Sequence, residues 1–284
     1  MCTTAAAALA LVVAGILGAA TAKVGHKCSR STDCGAGQWC LDCKPELAGS
    51  HCVRSTATNS FELVEPALDT FKEIEAFLSA NPSEIVTVIL EDYVNAPNGL
   101  TNVFRASGLQ RYWFPVSKMP QNGQDWPLVS DMVASSQRLL VFTSMRSKQA
   151  TEGIAYQWNF MVENNYGDDG MDAGECSNRA ESAPLNDKRK SLVLMNYFPS
   201  VPVKLTACLQ HSKSLTDMVT TCYDAAGNRW ANFLAVDYYK RSDGGGVFQA
   251  TDLLSGRLLC GCQDVNACPA RLIQLFPSLS SPTV

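Results

Sequence analysis

The sequence predicts an α/β fold of parallel strands and helices that follows a small disulfide-rich module. Short apolar runs rich in β-branched residues recur after residue 84, which is typical of strands buried on both faces of a sheet. Segments with apolar residues at helical spacing stand between those runs, as crossover helices do in a parallel sheet. Five cysteines crowd residues 28–52, before the first run. These three observations favour an α/β layer or barrel behind a stapled N-terminal module.

The first residues predict an extracellular location. Residues 1–22 carry no charged side chain, and an apolar run from Ala5 to Ala19 precedes the ending Ala20-Thr-Ala22. A small-x-small site after a short apolar run is typical of a cleaved signal peptide, and the run is short for a bilayer-spanning helix. We therefore expect a secreted chain that begins at Lys23. The C-terminal tail, residues 271–284, is too short and too polar for a GPI signal, so no membrane anchor is expected.

Residues 23–59 predict a cysteine-rich disulfide module with little apolar core of its own. Disulfides are the default pairing for secreted cysteines, so Cys40-x-x-Cys43 is not read as a zinc site or a redox pair. The chain has twelve cysteines, and removal of Cys2 with the signal peptide leaves eleven. Because eleven is odd, at least one thiol is expected to stay free or to bridge to another chain.

Residues 60–270 show a pattern of alternating helices and strands. Three helices are predicted there, over Glu65–Ala80, Pro127–Ser136 and Ser214–Ala226. The first has Phe71, Ile74 and Leu78 at helical spacing and stops at Pro82. The second has a proline near its first turn, and the third ends at Gly227, as a helix that closes on a left-handed residue does.

The buried strands are predicted from short apolar runs between those helices. Four runs are clear and a fifth is weaker: Ile85–Leu90, Arg138–Ser144, Ser191–Tyr197 and Phe233–Asp237, with Ile154–Trp158 as the weaker one. Runs of this length bounded by turn residues fit strands of a parallel sheet. The glycine run after the last strand, Asp243-Gly-Gly-Gly246, is predicted to be a flexible turn.

Polar residues follow the four clear strands. The pairs are Glu91-Asp92, Thr143-Ser144, Asn196-Tyr197 and Asp237-Tyr238. In a (β/α)8 barrel the carboxyl ends of the strands converge on one mouth where the chemistry occurs, so these side chains are functional candidates. The alternative is simple solvation of the loops. Glu91 and Asp237 are the stronger candidates, because each follows four or more residues without a charge.

Four segments resemble the plant secreted phospholipase C-like phosphodiesterases, relatives of the phosphatidylinositol-specific phospholipase C X domain. They are residues 81–93, 153–158, 191–199 and 233–246, and the resemblance runs from Cys28 to Cys268. It implies a distorted TIM barrel, secretion to the apoplast, and a phosphodiester or phospholipid headgroup as the substrate.

The resemblance also implies a mechanism and two site residues. In the family one histidine takes a proton from the attacking hydroxyl, a second protonates the leaving oxygen, and calcium or another cation stabilises the phosphoryl charge. Asp237 matches the aspartate that orients the first histidine. Glu91 matches the carboxylate that ligates calcium in the metal-dependent branch, where bacterial relatives place a lysine. Calcium bound by Glu91 is therefore the candidate cofactor.

The segment that carries both family histidines is missing from the sequence. The chain passes from residues 52–59 directly to residues 61–71, which resemble the helix after the second histidine, so the first strands of the barrel are expected to be absent. The three histidines of the chain, His26, His51 and His211, are each expected to be surface residues. Loss of one positioned acid or base typically slows a reaction by about 10²- to 10⁴-fold. We expect an inactive or severely impaired phosphodiesterase.

Three interpretations stay open. The chain is a splice form or incomplete gene model of a phosphodiesterase, or an inactive secreted binding protein, or a disulfide-rich interaction protein. The third would use the odd thiol for a disulfide-linked dimer. Unpaired strand edges left by the missing strands predict low stability and edge-strand self-association. The net charge of -4 and the lack of basic blocks exclude nucleic acid as the expected partner.

Overall fold

The computed structural model describes residues 26–34, 38–42, 50–54 and 67–269. The predicted signal peptide and the predicted C-terminal tail lie outside the described residues. Packing divides the chain into two units. The disulfide unit contains Met1–Ser55, Asn164–Ser177 and Met195–Val284, and the sheet unit contains Thr56–Glu163 and Asn178–Leu194.

The disulfide unit begins with a three-stranded antiparallel sheet. Its strands, in the spatial order β1-β3-β2, are β1 (Lys27–Cys28), β2 (Gln38–Asp42) and β3 (Ser50–Arg54). Two disulfides staple it, Cys28–Cys40 and Cys34–Cys52. Three of these sulfurs lie within 4.8 Å of one another, but all of them are in disulfides and offer no thiolate to a metal. The predicted disulfides of the N-terminal region are confirmed, and Cys40 bonds to Cys28 rather than to Cys43.

The sheet unit alternates helices with parallel strands. In chain order the elements are α1 (Ala67–Ala80), β4 (Val86–Leu90), α2 (Gly99–Ala106), α3 (Val129–Ala134), β5 (Leu139–Thr143), α4 (Arg146–Glu152), β6 (Ala155–Tyr156), β7 (Met161–Glu163) and β8 (Leu192–Asn196), whose last two residues belong to the disulfide unit. Strands β4, β5 and β6 form one parallel sheet in that order, and β7 pairs with β8 in parallel. The strands predicted from the apolar runs are therefore present, and β7 is an addition.

The core of the sheet unit forms where the apolar stripe of α1 packs on β4 and β5. Phe71, Ile74 and Leu78 of α1 are buried there, as their helical spacing predicts. The ring of Phe71 stacks on that of Phe104 at 4.4 Å, and Phe104 is fully buried. Burial of large aromatic side chains supplies much of the stability of such a layer.

The remaining elements of the disulfide unit are helical apart from one strand. They are α5 (Ala207–Gln210), α6 (Lys213–Ala225), β9 (Phe233–Ala235) and α7 (Gly246–Cys260). The backbone amide of Tyr197, after β8, donates to the carbonyl oxygen of Ala235 in β9. Disulfides Cys176–Cys222 and Cys260–Cys268 join loops to helices. Every cysteine of the described residues is in a disulfide, so the expected odd thiol is not among them.

The prediction that the glycine run is a flexible turn is wrong, because α7 begins at its last residue. Gly245 caps this 15-residue helix, and Gly246 adopts a left-handed backbone with φ +57. A Cβ atom at Gly246 would lie 2.8 Å from the Cβ of Ser242, so the close approach also requires glycine. The run therefore serves the entry into a helix rather than loop mobility.

The observed architecture is α/β with parallel sheets, and the strands of the described residues form three separate three-stranded sheets. None of these sheets closes into a barrel. Within the described residues no helix combines the length and the apolar character that crossing a bilayer requires.

Candidate functional site

The ends of β4 and β5 meet in the sheet unit, as predicted. Thr143 Oγ1 donates to Asp92 Oδ2 over 2.9 Å, and the Asp92 amide donates to Ser144 Oγ over 2.8 Å. The Val94 amide donates to the other carboxylate oxygen of Asp92 over 2.8 Å. Asp92 is only 6% exposed, so its hydrogen bonds are used to join two strand ends. This side chain has a structural role in the described chain.

Glu91, the residue before Asp92, is exposed, with 59% of its side chain accessible. Its carboxylate lies 3.7 Å from Nη2 of Arg179. Arg179 also contacts Glu163 at 3.0 Å and Glu181 at 3.1 Å, and its guanidinium lies over the Trp158 ring. One arginine therefore contacts three glutamates, of which Glu163 ends β7 and Glu91 follows β4.

Glu163 is the buried member of this group, with 3% of its side chain exposed. It accepts hydrogen bonds from Gln157 Nε2 at 2.9 Å and Trp158 Nε1 at 2.8 Å, besides the guanidinium of Arg179. Burial opposes the charge of Arg179, but the hydrogen bonds to Glu181 and Glu163 outweigh burial and raise its pKa. The hydrogen bond from Arg179 likewise lowers the pKa of Glu181. The group is a satisfied ionic network.

The sequence analysis missed both Glu163 and Arg179. Glu163 ends the short apolar run Phe160-Met-Val162, the same signal that singled out Glu91 and Asp237. The run is only three residues long, which is short for a predicted strand. Arg179 lies in a loop, and only the folded chain brings it to the strand ends.

The described residues around Glu91 do not fit a calcium centre. Calcium is bound by roughly six to eight oxygen ligands, most of them from converging carboxylates and carbonyls. The neighbour of Glu91 is instead a guanidinium, whose positive charge opposes a divalent cation. Among the described residues, the cysteine cluster is the only group of three or more side chains with metal-ligand spacing. The role of Glu91 as a calcium ligand stays a prediction.

The expectation that His211 is a surface residue is wrong. His211 is fully buried in the disulfide unit, and its Nε2 lies 2.9 Å from Oδ1 of Asp237. It follows α5, and the loop after β9 covers it: Ser242 Oγ donates to its carbonyl oxygen over 2.5 Å. The polar stretch around His211 is a corner between two helices rather than a solvated loop. Nothing in the local sequence pattern distinguishes the two.

The two ring nitrogens of His211 both face the protein. Nδ1 lies 3.1 Å from the carbonyl oxygen of Arg241, which can only accept, so Nδ1 carries a proton and donates it. Nε2 faces Asp237 at short range, yet the contact lacks hydrogen-bond alignment, and neither carboxylate oxygen has another aligned donor among the described residues. Burial lowers the pKa of His211 and raises that of Asp237, while the charge of each partner opposes the shift. The pair is a buried electrostatic contact.

The strand end at Asn196 also has a structural role. Asn196 and Asn164 are buried and exchange hydrogen bonds: the Asn196 amide donates to Asn164 Oδ1 at 2.7 Å, and Asn164 Nδ2 donates to the Asn196 carbonyl at 3.1 Å. Burial raises the pKa of the neighbouring Tyr197 hydroxyl. Asn196 Nδ2 also donates to the Asn164 carbonyl at 3.0 Å, so the two residues hold their segments together.

The four segments that resemble the phosphodiesterases lie within the residues that match a family model. The model of the PI-PLC X family matches residues 47–254, a span that includes Glu91, His211 and Asp237. The chain belongs to the PI-PLC X domain family. A PI-PLC X domain-containing protein of Arabidopsis thaliana is 56% identical over 218 residues, which cover 77% of this chain and 51% of that protein. The chain thus spans about half the length of this relative. No solved structure matches the chain.

Proposed function

We propose that this chain is a phospholipase C-like phosphodiesterase by descent, with an incomplete distorted TIM barrel, whose hydrolysis of phosphodiesters is lost or severely impaired. The observation that carries the proposal is the setting of His211. Its side chain is fully buried, and one ring nitrogen faces Asp237 while the other faces a backbone carbonyl. The residue that pairs with the family's strand-end aspartate therefore has no nitrogen left for a substrate.

Acid-base hydrolysis of a phosphodiester needs two positioned proton carriers. A general base must lie within hydrogen-bond reach of the attacking hydroxyl, and a general acid must reach the leaving oxygen. His26 is exposed and precedes β1, and no ion pair joins it to a carboxylate in the described residues. The side chain of His51 lies outside the description. The sequence offers no fourth histidine.

The strand-end carboxylates do not replace the missing histidines. Asp92 is held by three hydrogen bonds, and Glu163 is buried beneath Arg179. A general base near neutral pH needs a pKa close to the working pH and access to the substrate. Glu91 has that access, but its neighbour is the Arg179 guanidinium rather than a histidine. These observations support a member of the family in which the described residues supply no acid-base pair.

The test compares the full chain with a histidine-bearing member of the family on phosphatidylinositol vesicles and on glycerophosphoinositol. We expect release of the phosphorylated headgroup to be at least about 10²-fold slower for this chain, the loss expected for one missing acid or base. Turnover within about tenfold of the histidine-bearing protein would overturn the proposal. So would a measurable rate that His211→Ala abolishes while the variant keeps the circular dichroism of the unaltered chain, because that result would assign catalysis to His211 rather than to its loss of stability.

The same proposal assigns residues 23–59 to the disulfide module and residues 60–270 to the incomplete barrel. Removal of residues 1–22 and secretion to the apoplast are part of it, supported by the disulfides, which form in oxidising compartments.

Strand edges left open by the missing strands are proposed to favour self-association. Non-reducing electrophoresis and sedimentation of the purified chain would detect a dimer, and a sharp, reversible melt of a monomer would contradict this point.

A further inference from the structure

The sheet unit has an open cavity of about 490 Å³ that none of the site residues above lines. Its size falls within the range of roughly 300–1,000 Å³ that is usual for small-molecule sites. The polar and aromatic lining residues are Thr101, Gln110, Trp113, Ser117, Gln137 and Glu152. We name it the Trp113 cavity.

The Trp113 cavity lies at the amino-terminal edge of the β4-β5-β6 sheet. Trp113 forms a parallel bridge to Leu139, the first residue of β5, and Gln137 directly precedes that strand. Gly153, another lining residue, precedes β6. Asp92, by contrast, follows the last residue of β4. The cavity lies at the amino ends of the strands, whereas the family's site lies at their carboxyl ends. The two are therefore separate.

The polar floor of the cavity is held by hydrogen bonds and carries no net charge. Glu152 has 2% of its side chain exposed and accepts hydrogen bonds from Lys148 Nζ at 2.6 Å and from the amide and hydroxyl of Thr101 at 2.8 and 2.9 Å. Burial opposes its charge, but these hydrogen bonds outweigh burial and lower its pKa. The charge of Glu152 is therefore matched by Lys148, and the floor does not favour an ionic ligand.

The wall of the cavity has an aromatic ring and uncharged hydrogen-bonding groups. Trp113 is half-buried, and its ring makes a T-shaped contact with the ring of Phe104, with the centroids 4.9 Å apart. In the described part of the chain the indole N–H of Trp113 and the side chains of Gln110 and Ser117 make no hydrogen bond to protein. Gln137 uses its carbonyl oxygen for Lys118, which leaves its amide N–H groups available.

We propose that the Trp113 cavity binds a neutral carbohydrate. A sugar ring has an apolar face of C–H groups that packs on an aromatic ring, and hydroxyl groups at its edge that pair with amides and hydroxyls. Trp113 provides the first surface, and Gln110, Ser117 and Gln137 provide the second. Because Lys148 already matches the charge of Glu152, the cavity floor disfavours phosphorylated ligands. We therefore do not expect this site to recognise phosphodiesters.

Calorimetric titration of the full chain with a panel of neutral β-glucan, xylan, mannan and galactan oligosaccharides tests the proposal. We expect saturable binding of at least one oligosaccharide at one site per chain. Gln137→Ala and Trp113→Phe each remove one donor and are expected to weaken that binding about two- to tenfold, the effect of one hydrogen bond. Trp113→Phe keeps an aromatic ring against Phe104, so the fold is preserved.

Gln124→Ala is the matched control, because Gln124 is an exposed glutamine of the same unit that does not line the cavity. This variant is expected to bind the oligosaccharide like the unaltered chain. The proposal is overturned if no neutral oligosaccharide binds saturably, or if Gln137→Ala and Trp113→Phe bind as tightly as the control. Tighter binding of inositol phosphate or of a neutral peptide at the same site would also overturn it. None of these outcomes depends on phosphodiester turnover.

Discussion

Replacing His211 with alanine tests whether the buried pair with Asp237 is a real electrostatic unit. The change removes an imidazole that is fully buried and leaves a carboxylate whose side chain is 11% exposed. Replacing a large, fully buried side chain with alanine costs about 2–5 kcal/mol, because it leaves a cavity, and here the Asp237 carboxylate also loses the imidazole beside it. The residual exposure of Asp237 places the expected loss near the lower end of that range.

The loss should depend on pH in a direction that the pKa shifts determine. Burial already raises the pKa of Asp237 above its ordinary 3.8, and the charge of His211 opposes this rise. Without His211 the pKa of Asp237 rises further. A carboxyl group with a raised pKa in the folded state is tolerated while protonated and lowers stability as the pH rises through that pKa. The pKa of His211 is lowered, so the unaltered chain in turn loses stability as the pH falls through 6.5. Both effects make the variant's deficit larger at pH 7 than at pH 4.

Urea unfolding with the disulfides intact, followed by circular dichroism at pH 4 and pH 7, measures the deficit. His26→Ala is the control, because His26 is exposed and the change should cost less than about 0.5 kcal/mol. Adding Asp237→Asn to His211→Ala should restore part of the stability at pH 7, since the uncompensated carboxylate is gone. Equal deficits at both pH values, or a deficit as small as that of His26→Ala, would refute the reasoning.

Two further predictions concern the sheet unit and use the same unfolding assay. Arg179→Ala leaves Glu163 buried without its guanidinium and should cost about 3–5 kcal/mol, whereas Arg189→Ala, at a side chain that is 76% exposed, should cost about 0–1 kcal/mol. Similar losses for the two arginine variants would contradict the ionic network. Phe104→Ala removes a fully buried ring and should cost about 3–5 kcal/mol, and a loss below about 1 kcal/mol would argue against the core described for this unit.

The strand pattern of this protein was readable from its sequence because buried parallel strands carry a strong local signal. The runs at Ile85–Leu90 and Arg138–Ser144 correspond to β4 and β5 within one residue at each end. The helix α7 was not readable, because it begins inside a glycine run that resembles a turn. The close approach of Ser242 to Gly246 gives the physical reason for that run, and it exists only in the folded chain.

The residues of the candidate site were likewise only partly predictable from the sequence. Glu91 and Asp237 were identified because a charged residue after an apolar run marks a strand end. Their partners were not identified, since Arg179 and His211 reach them from loops distant in sequence. His211 stands in a polar stretch, and local composition predicts exposure for such a residue.

The sequence by itself determined the family, the parallel α/β layers, the N-terminal disulfides and the shortage of histidines, because each of these is written in local patterns and residue counts. Only the tertiary structure decided which charges are balanced and which side chains are accessible. Burial and the distance between charges arise from packing among remote segments. For that reason the pairing of His211 with Asp237, the three glutamates around Arg179 and the Trp113 cavity could be recognised only in the folded chain.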